Sequence, residues 1–334
     1  MKNEILRRLS ALALGLALLL NAAPLPQAFA VEDDTDASSS DSTDSTDTTD
    51  KTVVTTADND PTVTAAAANA PALDATAALL VSPESDMVLY EKNADEKRYP
   101  ASTTKIMTAL LTLENVSDLS AVVTAEASDF ENVTADSSNA GIKLGEQVTV
   151  KDLLYALMLP SANEAAYMLA RHVGGSWEQF VDMMNERAAE LGCTGTHFCN
   201  PCGLHEDDHY TTAHDLYLIA KEAMKDATFR DIVSTVQHRM AKTNLHEERI
   251  ILTTNQLIFS SFQPWSYANC LGIKTGHTSQ AGNCFVGYAE YGDAKLFSVV
   301  LGCSSSSKEY PTIASSFTDT KSLCQWGFKN FTSK

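Results

Sequence analysis

Strand-like apolar runs stand near both ends of the sequence, and only helical periodicity lies between them. Ala77 to Ser82 and Met87 to Lys92 read as strands joined by the turn sequence Pro83-Glu84-Ser85-Asp86. Arg249 to Thr253, Leu271 to Gly276, Cys284 to Glu290 and Lys295 to Gly302 read as strands too. Tyr291-Gly292-Asp293 supplies a tight hairpin between the last two. In the middle, Ile106, Leu110 and Leu113 recur at i, i+4 and i+7 as a buried helical stripe. Thr149-Val150-Lys151-Asp152 resembles a capping box, and a helix from about Asn163 to His172 halts at Gly174-Gly175. Ser176 through Gln179 caps the next helix, which ends at Leu191-Gly192, and Thr212 to Asp215 caps another running to about Lys225. A last helix runs from about Thr312 to Phe328. Strands from both ends can share one sheet only if the helical middle is an insertion. The expected class is therefore α+β: a mainly antiparallel sheet flanked by helices, with an inserted all-helical subdomain.

That fold should occupy residues 71–331 of the 334. Residues 1–30 read as a secretory signal peptide: Lys2, Arg7 and Arg8 precede the apolar run Leu9 to Leu20, and Ala28-Phe29-Ala30 fits a cleavage site after Ala30. An uncleaved anchor is the alternative, although the run is short for a membrane span. Residues 31–70 are a different material. Val31 to Thr62 carries ten acidic residues against Lys51 alone, with no aromatic side chain. Such a stretch cannot bury enough apolar surface to offset its ordering entropy, so it should be a disordered acidic Ser/Thr/Asp linker. The formal net charge of −19 argues against nucleic acid, and against docking on anionic lipid through a basic patch. The protein is expected to be exported, to the extracellular space or the outer face of the wall and membrane.

Ser102 and Lys105 lie about one turn apart if the helix of Ile106 begins near Ser102. The hydroxyl would then sit at the positive end of the helix, where a neutral lysine amine can take its proton. The spacing alone proves little, because Ser305-Ser306-Ser307-Lys308 repeats it in a serine-rich turn. Ser161-Ala162-Asn163 falls at the turn between two helices, with a decoy of equal spacing at Ser137-Ser138-Asn139. Lys274-Thr275-Gly276-His277 ends a strand, where a glycine admits a ligand backbone and Lys and Thr can hold a carboxylate.

Together these are the S-x-x-K, S-x-N and K-T-G motifs of penicillin-recognising serine enzymes. The chain resembles the D-alanyl-D-alanine carboxypeptidases among the low-molecular-weight penicillin-binding proteins, over roughly residues 75 to 331. The flanks Leu159-Pro160, Asn200-Pro201, His209-Tyr210-Thr211-Thr212-Ala213 and Cys324 through Phe328 carry the likeness beyond the motifs. The resemblance implies a β-lactamase/DD-peptidase-like fold, peptidoglycan stem peptides as substrate, β-lactam antibiotics as inhibitors, and no metal or other cofactor. It implies Ser102 as acylated nucleophile, Lys105 as general base and Ser161 as proton relay to the leaving nitrogen. Asn163 would bind the substrate peptide and steady Lys105, while Lys274 and Thr275 would meet the terminal carboxylate. Lys274 would also lower the pKa of Lys105 by repulsion. Gly276 would border the substrate, and the N–H groups of Ser102 and His277 would form the oxyanion hole. D,D-endopeptidase, β-lactamase and a non-catalytic wall-binding protein are the alternatives.

Some residues depart from that pattern. Glu164 follows Asn163 where an aspartate is frequent, and it should face away from Ser102, favourable as a charge in the first helical turn. Thr254 stands where some members carry a carboxylate-binding arginine. No C-terminal membrane anchor is expected after Phe328. His205-Glu206-Asp207-Asp208-His209 fits a zinc-hydrolase pattern, but its surroundings read as a loop rather than the helix that chemistry needs. The seven cysteines leave disulfides, a local metal knuckle and reduced buried thiols all open.

Overall fold

A computed structural model describes residues 52–54, 69–134, 137–259 and 263–331. The signal segment and most of the linker lie outside the described residues. The strands are β1 (Thr52–Val54), β2 (Ala77–Ser82), β3 (Met87–Lys92), β4 (Val122–Thr124), β5 (Gln147–Thr149), β6 (Gln237–Met240), β7 (Arg249–Leu252), β8 (Cys270–Thr278), β9 (Gly282–Tyr291) and β10 (Ala294–Cys303). The helices are α1 (Lys105–Asn115), α2 (Val150–Met158), α3 (Asn163–Gly174), α4 (Trp177–Glu190), α5 (Ala213–Ala223), α6 (Ala227–Ser234), α7 (Gln256–Phe259) and α8 (Ser315–Phe331). None is long and apolar enough to cross a membrane.

One antiparallel sheet runs in the order β1-β3-β2-β10-β9-β8, so the two chain ends do meet in it. Both its faces are buried. Ala77, Leu79 and Val81 enter a core shared with the helical insertion, while Ala78 and Leu80 enter a second core with Leu323 and Trp326 of α8. That is why β2 reads as one apolar run instead of an alternation.

Within the α-helical insertion the caps act as their sequences indicate. Thr149, Ser176 and Thr212 accept the backbone N–H groups of Asp152, Gln179 and Asp215. Every residue of α1 from Lys105 to Thr112 is buried, not merely one stripe, because α3 and α5 pack on its outer side.

The structure differs from the sequence reading at several boundaries. Ser102 belongs to a 3-10 turn, Ala101–Thr104, and the α-helix proper begins three residues later at Lys105. β7 pairs with β6 in a separate two-stranded ribbon and does not join the main sheet. β6 is polar and half exposed, so its sequence carries no alternation to find. The final helix starts at Ser315 rather than near Thr312. Within the stretch read as linker, the β-branched run Thr52-Val53-Val54 adds β1 to the open edge of β3.

Candidate active site

The 3-10 turn carrying Ser102 is pressed between two glycines. A Cβ on Gly276 would stand 2.9 Å from the Pro100 carbonyl oxygen and 3.1 Å from the Ser102 nitrogen. On Gly203, whose φ is +86°, it would stand 1.9 Å from the Ala101 carbonyl oxygen. Only hydrogen side chains fit there, and this close packing sets the height of Ser102 against β8. Ala101 itself is held at φ +47° and Ser161 at φ +66°. Among the described residues, the other non-glycine residues in that region, Asp86 and Asn93, are turn formers. Strain at Ala101 and Ser161 thus sits in the two motifs, where surrounding packing enforces it.

Lys105 is completely buried. Its Nζ donates to Asn163 Oδ1 at 2.8 Å and to the Cys202 carbonyl at 2.6 Å, and it lies 3.0 Å from Ser102 Oγ. Burial lowers its pKa to about 8, opposed by the Cys202 thiol and Glu164. In the neutral amine the two N–H bonds satisfy Asn163 and Cys202, which leaves the lone pair directed at the Ser102 hydroxyl. Desolvation, and not repulsion from Lys274, is thus what lowers Lys105. The repulsion acts in the other direction, since burial first and Lys105 second push Lys274 well below its ordinary value.

Ser102, Ser161, Asn163, Thr275, Gly276 and His277 line one cleft of about 400 Å³, with Lys105 and Lys274 buried behind it. β8 forms one wall as the edge strand of the sheet. Ser161 Oγ is buried and has no hydrogen-bond partner among the described residues. Lys274 Nζ donates to the Thr275 carbonyl at 3.0 Å. Thr254 Oγ1 lies 2.6 Å from Thr275 Oγ1, so a hydroxyl pair stands where the sequence left a contact in question.

The fold is shared with solved proteins. The family described as D-alanyl-D-alanine carboxypeptidase matches residues 64–305. The chain belongs to this family. The D-alanyl-D-alanine carboxypeptidase DacF of Bacillus subtilis is 34% identical over 229 residues, 68% of this chain and 57% of its own length. A D-alanyl-D-alanine carboxypeptidase of a Streptomyces species is 35% identical over 253 residues, 72% of this chain and 82% of its own. The crystal structure of a Streptomyces DD-transpeptidase superposes with a TM-score of 0.70 at 33% identity, covering 78% of this chain and 99% of the other. The chain thus spans little more than half the length of the Bacillus relative.

In this member of the D-alanyl-D-alanine carboxypeptidase family, two elements at the cleft escape motif reading. The decoy Ser137-Ser138 is a cleft wall, and the Ser138 carbonyl accepts the Asn163 N–H at 2.9 Å. Glu164 is buried and does not line the cleft. Its Oε1 accepts the Ala140 N–H at 2.7 Å and so fastens that wall, while burial raises its pKa. It stands in the first turn of α3, as read, and is buried there. The other decoy, Ser305 to Lys308, lies in the loop after β10, and Lys308 borders a separate hollow with Asp74 and Asp319.

His205 to His209 lie in a loop, as their context indicates. His209 Nδ1 accepts the Cys199 N–H at 3.0 Å, and Nε2 meets Thr104 Oγ1 at 2.8 Å. Burial lowers its pKa to about 3, so the ring is neutral, carries its proton on Nε2 and donates it to Thr104. Thr104 closes the turn that holds Ser102, which places His209 beneath the nucleophile. His209→Ala should slow acylation of Ser102 about tenfold or more through displaced geometry. Stopped-flow acylation by a chromogenic β-lactam checks this, and an unchanged rate would show that the turn holds without His209. All seven cysteines are free in the structure.

Proposed function

We propose that this protein is a serine D,D-carboxypeptidase that releases the terminal D-alanine of peptidoglycan stem peptides through an acyl-enzyme on Ser102. The observation that carries the reading is the buried Lys105 amine, 3.0 Å from the Ser102 hydroxyl, with its pKa brought down to about 8. A general base near working pH is what attack by a serine hydroxyl needs. Ser102 Oγ attacks the penultimate D-alanine carbonyl while Lys105 takes its proton. The oxyanion is held by the N–H groups of Ser102 and His277. Ser161 passes a proton to the leaving D-alanine nitrogen, and Asn163 orients Lys105 while reaching the substrate amide. Lys274 and Thr275, with Thr254 behind Thr275, hold the terminal carboxylate. Gly276 lets the substrate backbone lie along the edge of β8.

Penicillin enters the same chemistry and acylates Ser102. Rapid release of that ester requires a carboxylate aimed at a water, as class A β-lactamases provide. Glu164 does not line the cleft, and its Oε1 is taken by the Ala140 N–H, which supports a long-lived adduct and a peptidase over a β-lactamase. In the cell, residues 1–30 direct export, the acidic stretch that precedes β1 acts as a spacer, and the enzyme trims the wall outside the cell. No metal or cofactor takes part. Incubation with a purified pentapeptide stem tests the reading. D-alanine should appear in equal amount to the shortened peptide, and cross-linked dimers should stay uncut. Cleavage of cross-links at a comparable rate would favour an endopeptidase.

A further inference from the structure

A second hollow, of about 620 Å³, lies past the end of β8, and no part of the chemistry above uses it. Its walls include Ser279 and Gln280 in the β8–β9 turn, Lys97 through Tyr99 before the nucleophile turn, and Asp207 and Tyr210. These walls are fixed. Ala281 N–H donates to Thr278 Oγ1 at 3.0 Å, which pins the turn. Arg98 and Thr211 exchange backbone hydrogen bonds of 2.8 and 2.9 Å, and Arg98 Nε also donates to Thr76 Oγ1 at 3.2 Å. Tyr99 packs edge-on against His205, with ring centres 4.6 Å apart.

The two cations of this hollow differ in their partners. Arg98 is paired with Glu96. Lys97 has its Nζ 3.8 Å from the centre of the Tyr210 ring, and among the described residues no carboxylate lies within ion-pair distance of it. The acid of the hollow, Asp207, lies 3.5 Å from His205. In a chain of net charge −19, an ammonium held over a ring and lacking an acidic partner stands out as an anion contact.

The direction of the substrate follows from the cleft. The terminal carboxylate sits at Lys274 and Thr275, and the scissile carbonyl at Ser102 and His277. The donor therefore continues along β8 past Thr278, toward Ser279. Ser279, on the hollow's rim, follows His277 by two residues, and extended chains advance about 3.3 Å per residue, so two or three donor residues reach that rim. We infer that this hollow is a subsite for the donor peptide upstream of its D-alanyl-D-alanine end, and that Lys97 there binds a side-chain or α-carboxylate of that peptide. The inference rests on the proposed carboxypeptidase reading and specifies its substrate as an acidic, extended peptide.

The test uses two synthetic peptides ending in D-alanyl-D-alanine that differ at one residue, three positions before the scissile bond. One carries a free carboxylate there and the other its amide. Wild-type protein should cleave the carboxylate form with a kcat/KM about three- to fivefold higher, the scale of one partly exposed ion pair. Lys97→Gln should erase that preference, leaving cleavage of the amide form and the rate of penicillin acylation at Ser102 unchanged. A preference that survives Lys97→Gln, or none in the wild type, overturns the subsite while the peptidase reading stands. If wild-type protein cleaves neither peptide and takes no penicillin label, the peptidase reading falls and the subsite with it.

Discussion

Lys105→Ala should lower the rate of Ser102 acylation by roughly 10²–10⁴-fold, the contribution of a positioned general base. The expectation comes from geometry. Nζ has its acceptors fixed in Asn163 Oδ1 and the Cys202 carbonyl, and its remaining direction points at Ser102 Oγ. Lys105→Arg should not restore the rate, since a guanidinium keeps its proton throughout the working range. The pH profile carries the same information. An amine with a pKa of about 8 is mostly protonated at lower pH and cannot accept the serine proton. Acylation by the wild type should therefore rise as pH increases toward 8 and level off above it. Rates measured across that range would contradict the assignment if they were flat, or if Lys105→Arg matched the wild type.

Lys274→Ala should reduce kcat/KM on peptides with a free C-terminal carboxylate by about ten- to a hundredfold, one charge-assisted hydrogen bond of ~1.5–3 kcal/mol. A neutral acyl ester of similar size should lose far less. Lys274 is buried, and both burial and Lys105 disfavour its charge in the unliganded cleft. An arriving carboxylate reverses that balance, because an adjacent opposite charge favours the protonated amine. Binding of a carboxylate ligand should accordingly be accompanied by proton uptake, measurable by calorimetry in buffers of different ionisation enthalpy. Equal losses on ester and peptide would place the carboxylate elsewhere.

The sheet, the helical insertion and the three motifs were all legible before any coordinates, because each depends on local pattern. β2, β9 and β10 are apolar runs between turn signals, and Thr149, Ser176 and Thr212 cap helices by chemistry visible within three residues. What stayed hidden depends on residues far apart in sequence. The Cys202 carbonyl and His209 support Ser102 from a loop about a hundred positions away, and backbone carbonyls leave no trace in side-chain identity. The hydroxyl of Thr254 reaches Thr275 only after β7 turns back toward β8. Gly203 was a usable signal, since a left-handed glycine inside a proline- and cysteine-rich loop indicates close approach of another backbone. The 3-10 turn at Ala101–Thr104 was invisible for a different reason. A helix start and a 3-10 turn place Ser102 and Lys105 on the same face, so the spacing fits both.

Intact-mass analysis after exposure to penicillin, followed by peptide mapping of the adduct, measures the central claim at the atom concerned. The account predicts one covalent adduct per chain, on the peptide containing Ser102, absent in Ser102→Ala and retained in Ser305→Ala. An adduct on Ser305, or one that persists in Ser102→Ala, would contradict it.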